Sequence, residues 1–182
     1  MFANAFKHVV KEEGGYVNDP ADSGGATNRG VTQQTYDRHR DAKNMDRRHV
    51  RYLTIAETEE VYELYWKDCK ANELPDGINL IHFDFAINAG IRRAAITLQR
   101  CLGVEDDGII GSKTLAAAQE RNSEDTIRAY AEARRGFYRH LAERRPKDRR
   151  FLNGWLLRTN RIEGRALDSY RRANKSSGPS TV

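Results

Sequence analysis

Apolar residues recur along this chain at intervals of three and four, strand-like alternation is nearly absent, and proline is scarce, a pattern that predicts a mainly α protein. Phe2, Phe6, Val9 and Val10 form the stripe of an opening helix that should stop at Gly14-Gly15. The stretch from Gly14 to Val31 breaks the pattern with five glycines and one proline among Asn, Asp, Ser and Thr, which suits tight turns or a small hairpin. A second helix is expected after Thr32. A third should follow Thr54, because Thr54-Ile55-Ala56-Glu57 fits a capping box, and its apolar stripe reads Val61, Leu64, Tyr65 and Trp66.

Between Ile78 and Leu102 the apolar positions surround the helix axis instead of lining one side, which predicts a single helix buried at the centre of the fold. Gly103 to Gly111 reads as a turn region before a short helix carrying Leu115 and Ala116 to Ala118. Ser123 is the expected cap of a helix running to about Arg144, and a last helix should follow Pro146, with Phe151, Trp155, Leu156, Ile162, Leu167 and Tyr170 on it. The tail from Asn174 has little to bury and should fray. These breaks suggest a lobe over 1–75, a helical second half over 76–174 packed on it, and a flexible end at 175–182.

Composition narrows the class. The chain has 182 residues, enough to bury a core, and no stretch approaches the ~20 consecutive apolar residues of a membrane span. The opening residues lack the basic and apolar regions of a secretory signal, so synthesis in a cytoplasm is expected. Cys69 and Cys101 stand far apart without a second pair, which argues against a disulfide framework and a zinc site. The formal net charge is +5, yet residues 121–172 alone hold fifteen Lys and Arg against seven Asp and Glu. Such a segment favours polyanions, whether nucleic acid, anionic lipid or an acidic cell envelope. No basic motif interleaved with aromatics supports nucleic acid.

The residues richest in chemistry are Glu13-Gly14-Gly15-Tyr16-Val17-Asn18-Asp19-Pro20-Ala21-Asp22-Ser23-Gly24-Gly25-Ala26-Thr27-Asn28-Arg29-Gly30-Val31-Thr32. A carboxylate at a helix end beside a glycine-rich loop suits glycoside cleavage, which needs a fixed acid and room for sugar rings near the backbone. Asp22 and Asp19 are the local second carboxylates, and Thr27 could hold a water. The same residues also fit a solvated helix end followed by ordinary turns. Tyr16 suits either sugar stacking or a core plug, and Asn88 either an N-acetyl contact or a satisfied buried amide. His82 and Asp84 read as core polar groups before catalytic ones, and Asp107, Gly108 and Gly111 as a structural turn.

This segment resembles the signature of glycosyl hydrolase family 108, the small N-acetylmuramidases of phage endolysins and secretion-associated lysozymes: Glu-Gly-Gly-Tyr-x-Asn-x-Pro, then Asp-x-Gly-Gly-x-Thr, then Gly-Ile/Val-Thr. Phe83 to Gly90 is similar to that family's central helix, and Leu102 to Leu115, with Asp107-Gly108 and Gly111, resembles its predicted peptidoglycan-binding half. The resemblance implies a lysozyme-like helical fold and hydrolysis of the β-1,4 bond between N-acetylmuramic acid and N-acetylglucosamine. It implies Glu13 as general acid, with Asp22 and Thr27 stabilising the transition state or orienting water, and no metal or cofactor. In the wider group of phage lysozymes the Thr falls six residues after the Asp, a place taken here by Asn28, with Thr27 one residue early. A lytic transglycosylase and a noncatalytic wall-binding module are the alternatives. The expected partners are peptidoglycan, anionic envelope lipid through the basic half, and a holin or dedicated exporter for access to the wall, with the protein a monomer.

Overall fold

The computed structural model describes residues 1–18 and 25–176; residues 19–24, which include Asp19 and Asp22, and the end of the expected tail at 177–182 lie outside the described residues. Among the described residues the fold is mainly α, with eight α-helices and one antiparallel sheet of three two-residue strands. Two compact units emerge, one of Phe2–Lys67 and one from Asp68 onward together with Met1.

In the first unit α1 (Phe2–Glu12) buries Ala5, Phe6 and Val9. Its aromatic residues meet α3 (Ile55–Asp68) edge-on, Phe6 against Tyr62 at 5.8 Å and Phe2 against Trp66 at 5.9 Å between ring centroids. The glycine-rich stretch forms β1 (Tyr16–Val17), β2 (Thr27–Asn28) and β3 (Val31–Thr32), with Tyr16 opposite Asn28 and Thr27 opposite Thr32. Thr32 then caps α2 (Gln33–Ala42) by accepting from the Thr35 amide. The Thr54/Glu57 capping box forms as expected: Thr54 Oγ1 accepts from the Glu57 amide, and Glu57 Oε2 accepts from the Thr54 amide at 3.0 Å.

Glu57 does more than cap. It also accepts from the Tyr36 hydroxyl, Arg40 at 2.9 Å and Arg48 at 2.7 Å, tying α3 to α2 and to the segment before a 3-10 turn at Val50–Tyr52. Burial alone would raise its carboxyl, but the Thr54, Tyr36 and Arg48 hydrogen bonds outweigh that and hold it down at about 2. The inner face of α3 differs from the expected stripe. Tyr62 is buried and Leu64 is 49 % exposed, because two residues turn a helix by about 200°, so only one of them can face α1.

The second unit is built around α4 (Ile78–Ala89), whose first nine residues are all buried. It packs on α5 (Ile91–Leu102), α7 (Ser123–Arg144) and α8 (Leu152–Ser176), and α6 (Ser112–Glu120) packs on α5. The single helix expected over 78–102 is in fact two. Gly90, at φ 88° and ψ 149°, leaves the helical region and turns the chain, and α5 beyond it buries only one side. Asn122, not Ser123, caps α7, its Oδ1 accepting from the amides of Glu124 and Asp125. Pro146 opens a 3-10 segment, Pro146–Phe151, so the last helix begins only at Leu152, and it continues through Lys175 and Ser176 where fraying was expected. Between α5 and α6 the turn is held by Gln99, which donates to Asp107 Oδ1 at 2.7 Å and to Ile109 O and accepts from the Gly108 amide, a structural role as expected for Asp107 and Gly108.

Asp84, fully buried on α4, meets Arg134 of α7 at 2.6 Å and Arg158 of α8 at 2.6 Å. Burial opposes its charge, yet the two guanidinium groups prevail and hold the carboxyl below its usual range. Phe85 and Tyr138 stack against the Arg134 guanidinium at 5.1 and 5.6 Å. His82, two residues before Asp84, contacts Cys69 O at 3.1 Å through Nε2 and the Tyr130 hydroxyl at 3.3 Å through Nδ1. A carbonyl only accepts, so Nε2 carries the proton, and burial pushes the imidazole down to about 4 and keeps it neutral. Cys69 and Cys101 are free thiols, pushed up by burial to about 12 and about 11. Among the described residues no helix is long and apolar enough to cross a membrane.

Two outcomes are expected. Asp84→Asn strands two cations on a neutral amide in the core and should cost about 3–5 kcal/mol in urea unfolding; a loss below about 1 kcal/mol would contradict the pairing. In acid, unfolded His takes up a proton below about pH 6.5 while buried His82 resists to about 4, so stability should fall as pH drops through that window. Glu57, depressed from 4.5 to about 2, extends the fall below pH 4.5. Denaturation midpoints measured from pH 8 to pH 2 check this, and His82→Gln should flatten the first part only.

Candidate active site

Glu13 follows the last turn of α1, where its amide still bonds Val10 O at 3.3 Å. Gly14 and Gly15 then release the chain into β1. The carboxyl is half withdrawn from solvent, with Oε1 itself buried. It lies against the two-residue turn between β2 and β3, in which Arg29 and Gly30 both have positive φ, 49° and 74°. Positive φ at both positions matches the right-handed twist of the flanking strands.

Gly30 is required twice over. Its φ suits glycine, and a methyl group there would lie 2.7 Å from Glu13 Oε2, 2.8 Å from Glu13 Cδ and 2.6 Å from Tyr62 Oη. The turn, the carboxyl and the phenol therefore converge on one point. Tyr62 donates its hydroxyl hydrogen to Arg29 O at 2.7 Å, which ties α3 to the turn. The other edge of the hairpin is pinned as well: Asn28 Nδ2 donates to Val50 O at 3.1 Å and to Arg51 O at 3.3 Å, and Arg29 donates to Leu53 O at 2.9 Å.

Of the site residues expected from sequence, Glu13, Tyr16 and Thr27 all lie in the first unit, on or beside this sheet. Tyr16 is not a core plug: it is 37 % exposed, with His49 at 5.8 Å and the Arg51 guanidinium at 5.5 Å from its ring. Thr27 is half-buried in β2. Its neighbour Asn28 is buried and committed to backbone, and the pleat turns Thr27 to the opposite face, where its hydroxyl is not spent on those carbonyls. Asn88 belongs to the second unit, near the end of α4, where it is exposed and donates to Asp84 O at 2.7 Å within its own helix, so it is not the buried amide that the sequence offered as an alternative. Asp22 lies outside the described residues. Among the described residues no group of three or more His, Cys, Asp or Glu is placed to hold a metal ion.

Gly30 and Tyr62 escaped the sequence reading. Asn28-Arg29-Gly30-Val31 between two strand-forming positions is a hairpin-turn signal that would have marked Gly30. Tyr62 carries no local signal, since only the fold brings it to Glu13.

Residues 6–90 match the family model for glycosyl hydrolase 108, and residues 93–160 match that for a predicted peptidoglycan domain. No match is found among curated proteins. Among solved structures, SagA of Brucella abortus superposes with a TM-score of 0.80 at 36 % identity, over 93 % of this chain and 95 % of that one. The first match takes in Glu13, the hairpin and Tyr62, and it ends at Gly90, where α4 gives way to α5. The carboxyl held at that turn thus belongs to a glycoside hydrolase, and the chain is a member of glycosyl hydrolase family 108 with a predicted peptidoglycan domain in its second half.

Proposed function

We propose that the protein is an N-acetylmuramidase, hydrolysing the β-1,4 bond between N-acetylmuramic acid and N-acetylglucosamine in peptidoglycan with Glu13 as general acid. The observation that carries this reading is the fixed position of the Glu13 carboxyl, held between a glycine turn and the Tyr62 hydroxyl beside an exposed strand. Glycoside hydrolysis needs a carboxylic acid that protonates the departing oxygen without reorganising.

In this proposal Tyr16 stacks on a sugar ring and the Thr27 hydroxyl orients the attacking water, with Asp22 stabilising the oxocarbenium-like transition state. The predicted peptidoglycan domain supports the wall polymer as substrate. Access to the wall through a holin or a dedicated exporter, and attraction of the basic residues 121–172 to the anionic envelope, belong to the same proposal.

Glu13→Gln should keep the fold and lower the clearing of purified sacculi by about 10²–10⁴-fold, the share of rate that a positioned acid supplies. Native-level clearing by this variant would remove Glu13 from the mechanism. Gly30→Ala tests the turn. A left-handed alanine should cost about 1–2 kcal/mol of stability. Displacement of the carboxyl should make the fall in clearing rate much larger than that loss explains, measured on protein shown to be folded by circular dichroism.

A further inference from the structure

Next to the Glu13 hairpin the first unit exposes a guanidinium that makes no ion pair among the described residues. Arg51 is exposed, and its Cζ lies 5.5 Å from the centre of the Tyr16 ring and 5.8 Å from that of Tyr52, itself 61 % exposed. Its sequence neighbours are engaged differently: Arg48 pairs with Glu57 at 2.7 Å and Arg47 with Asp41 at 2.5 Å. Arg51 is also fixed at its backbone, its amide donating to His49 Nδ1 at 3.2 Å and its carbonyl accepting from Asn28.

A guanidinium held over aromatic faces keeps its in-plane N–H groups for a ligand, and the planar fork matches a carboxylate at two points. Tyr16 opens β1 three residues after Glu13, and the Arg51 fork, on the 3-10 turn Val50–Tyr52, lies against its ring, so both the fork and the acid stand beside the same small sheet. The sugar rings of a glycan strand are neutral, whereas the peptide stems on N-acetylmuramic acid carry free carboxylates. We propose that Arg51, between Tyr16 and Tyr52, is a subsite for a stem-peptide carboxylate, so that the enzyme reads the stem as well as the glycan. This rests on the muramidase reading.

The test compares native sacculi with sacculi whose carboxylates have been converted to amides by carbodiimide and ammonia, using the native protein and Arg51→Gln, each with its melting temperature checked. The expected result is an apparent KM about 5–10-fold higher for Arg51→Gln on native sacculi at unchanged kcat, the scale of a partly exposed charge-assisted pair. The native protein should show the same rise on amidated sacculi, and Arg51→Gln no further rise there. An unchanged KM on native sacculi, or an equal rise on both substrates, overturns the subsite while leaving the muramidase reading in place. No cleavage of either substrate by the native protein overturns that reading and the subsite with it.

Discussion

A side chain at position 30 would have to displace the groups that meet there, and the arrangement of the first unit turns on that point. The Arg29-Gly30 turn, the Glu13 carboxyl and the Tyr62 hydroxyl occupy the space a methyl group would need. Each partner is fixed from elsewhere. Glu13 is placed by the end of α1, and Tyr62 by α3 through its ring contact with Phe6 and its bond to Arg29 O. The hairpin is set by the hydrogen bonds of Asn28 and Arg29 to residues 50, 51 and 53. The proposed acid would gain from such over-determination, because a group already in position loses nothing to reorganisation in the reaction.

The second unit solves a different problem, that of a helix buried on all sides. Leucine, isoleucine and phenylalanine satisfy that environment, but they do not choose which faces of α7 and α8 turn inward. Asp84 makes the choice, because a buried carboxylate is tolerable only where cations reach it, and Arg134 and Arg158 reach it from different helices. His82 adds a neutral link between the chain at Cys69, α4 and α7 through Tyr130.

Much of this was legible in the residues. The Thr54/Glu57 box, the apolar density after Ile78 and the Glu13 loop all act through near neighbours, so sequence displays them. What escaped depends on distant partners or on one backbone angle. The break at Gly90 needs a positive φ that apolar counting cannot see. Leu64 was placed inward although Tyr62 takes that position, because the partner of Tyr62 lies 33 residues earlier. Asn122 displaced Ser123 as cap by a single residue, a choice between two good capping side chains. Near the proposed site, the Glu13 segment stands out in the sequence by its motif, whereas the meeting of Gly30 and Tyr62 with it arises only when the hairpin folds.

The central claim is that this chain cleaves peptidoglycan by hydrolysis at the muramic acid residue. Its most direct measurement is mass spectrometry of the fragments released from purified sacculi in heavy-oxygen water. The account predicts one heavy oxygen per cleaved bond, carried at the reducing end of N-acetylmuramic acid. Unlabelled 1,6-anhydro ends, or label on N-acetylglucosamine, would contradict it.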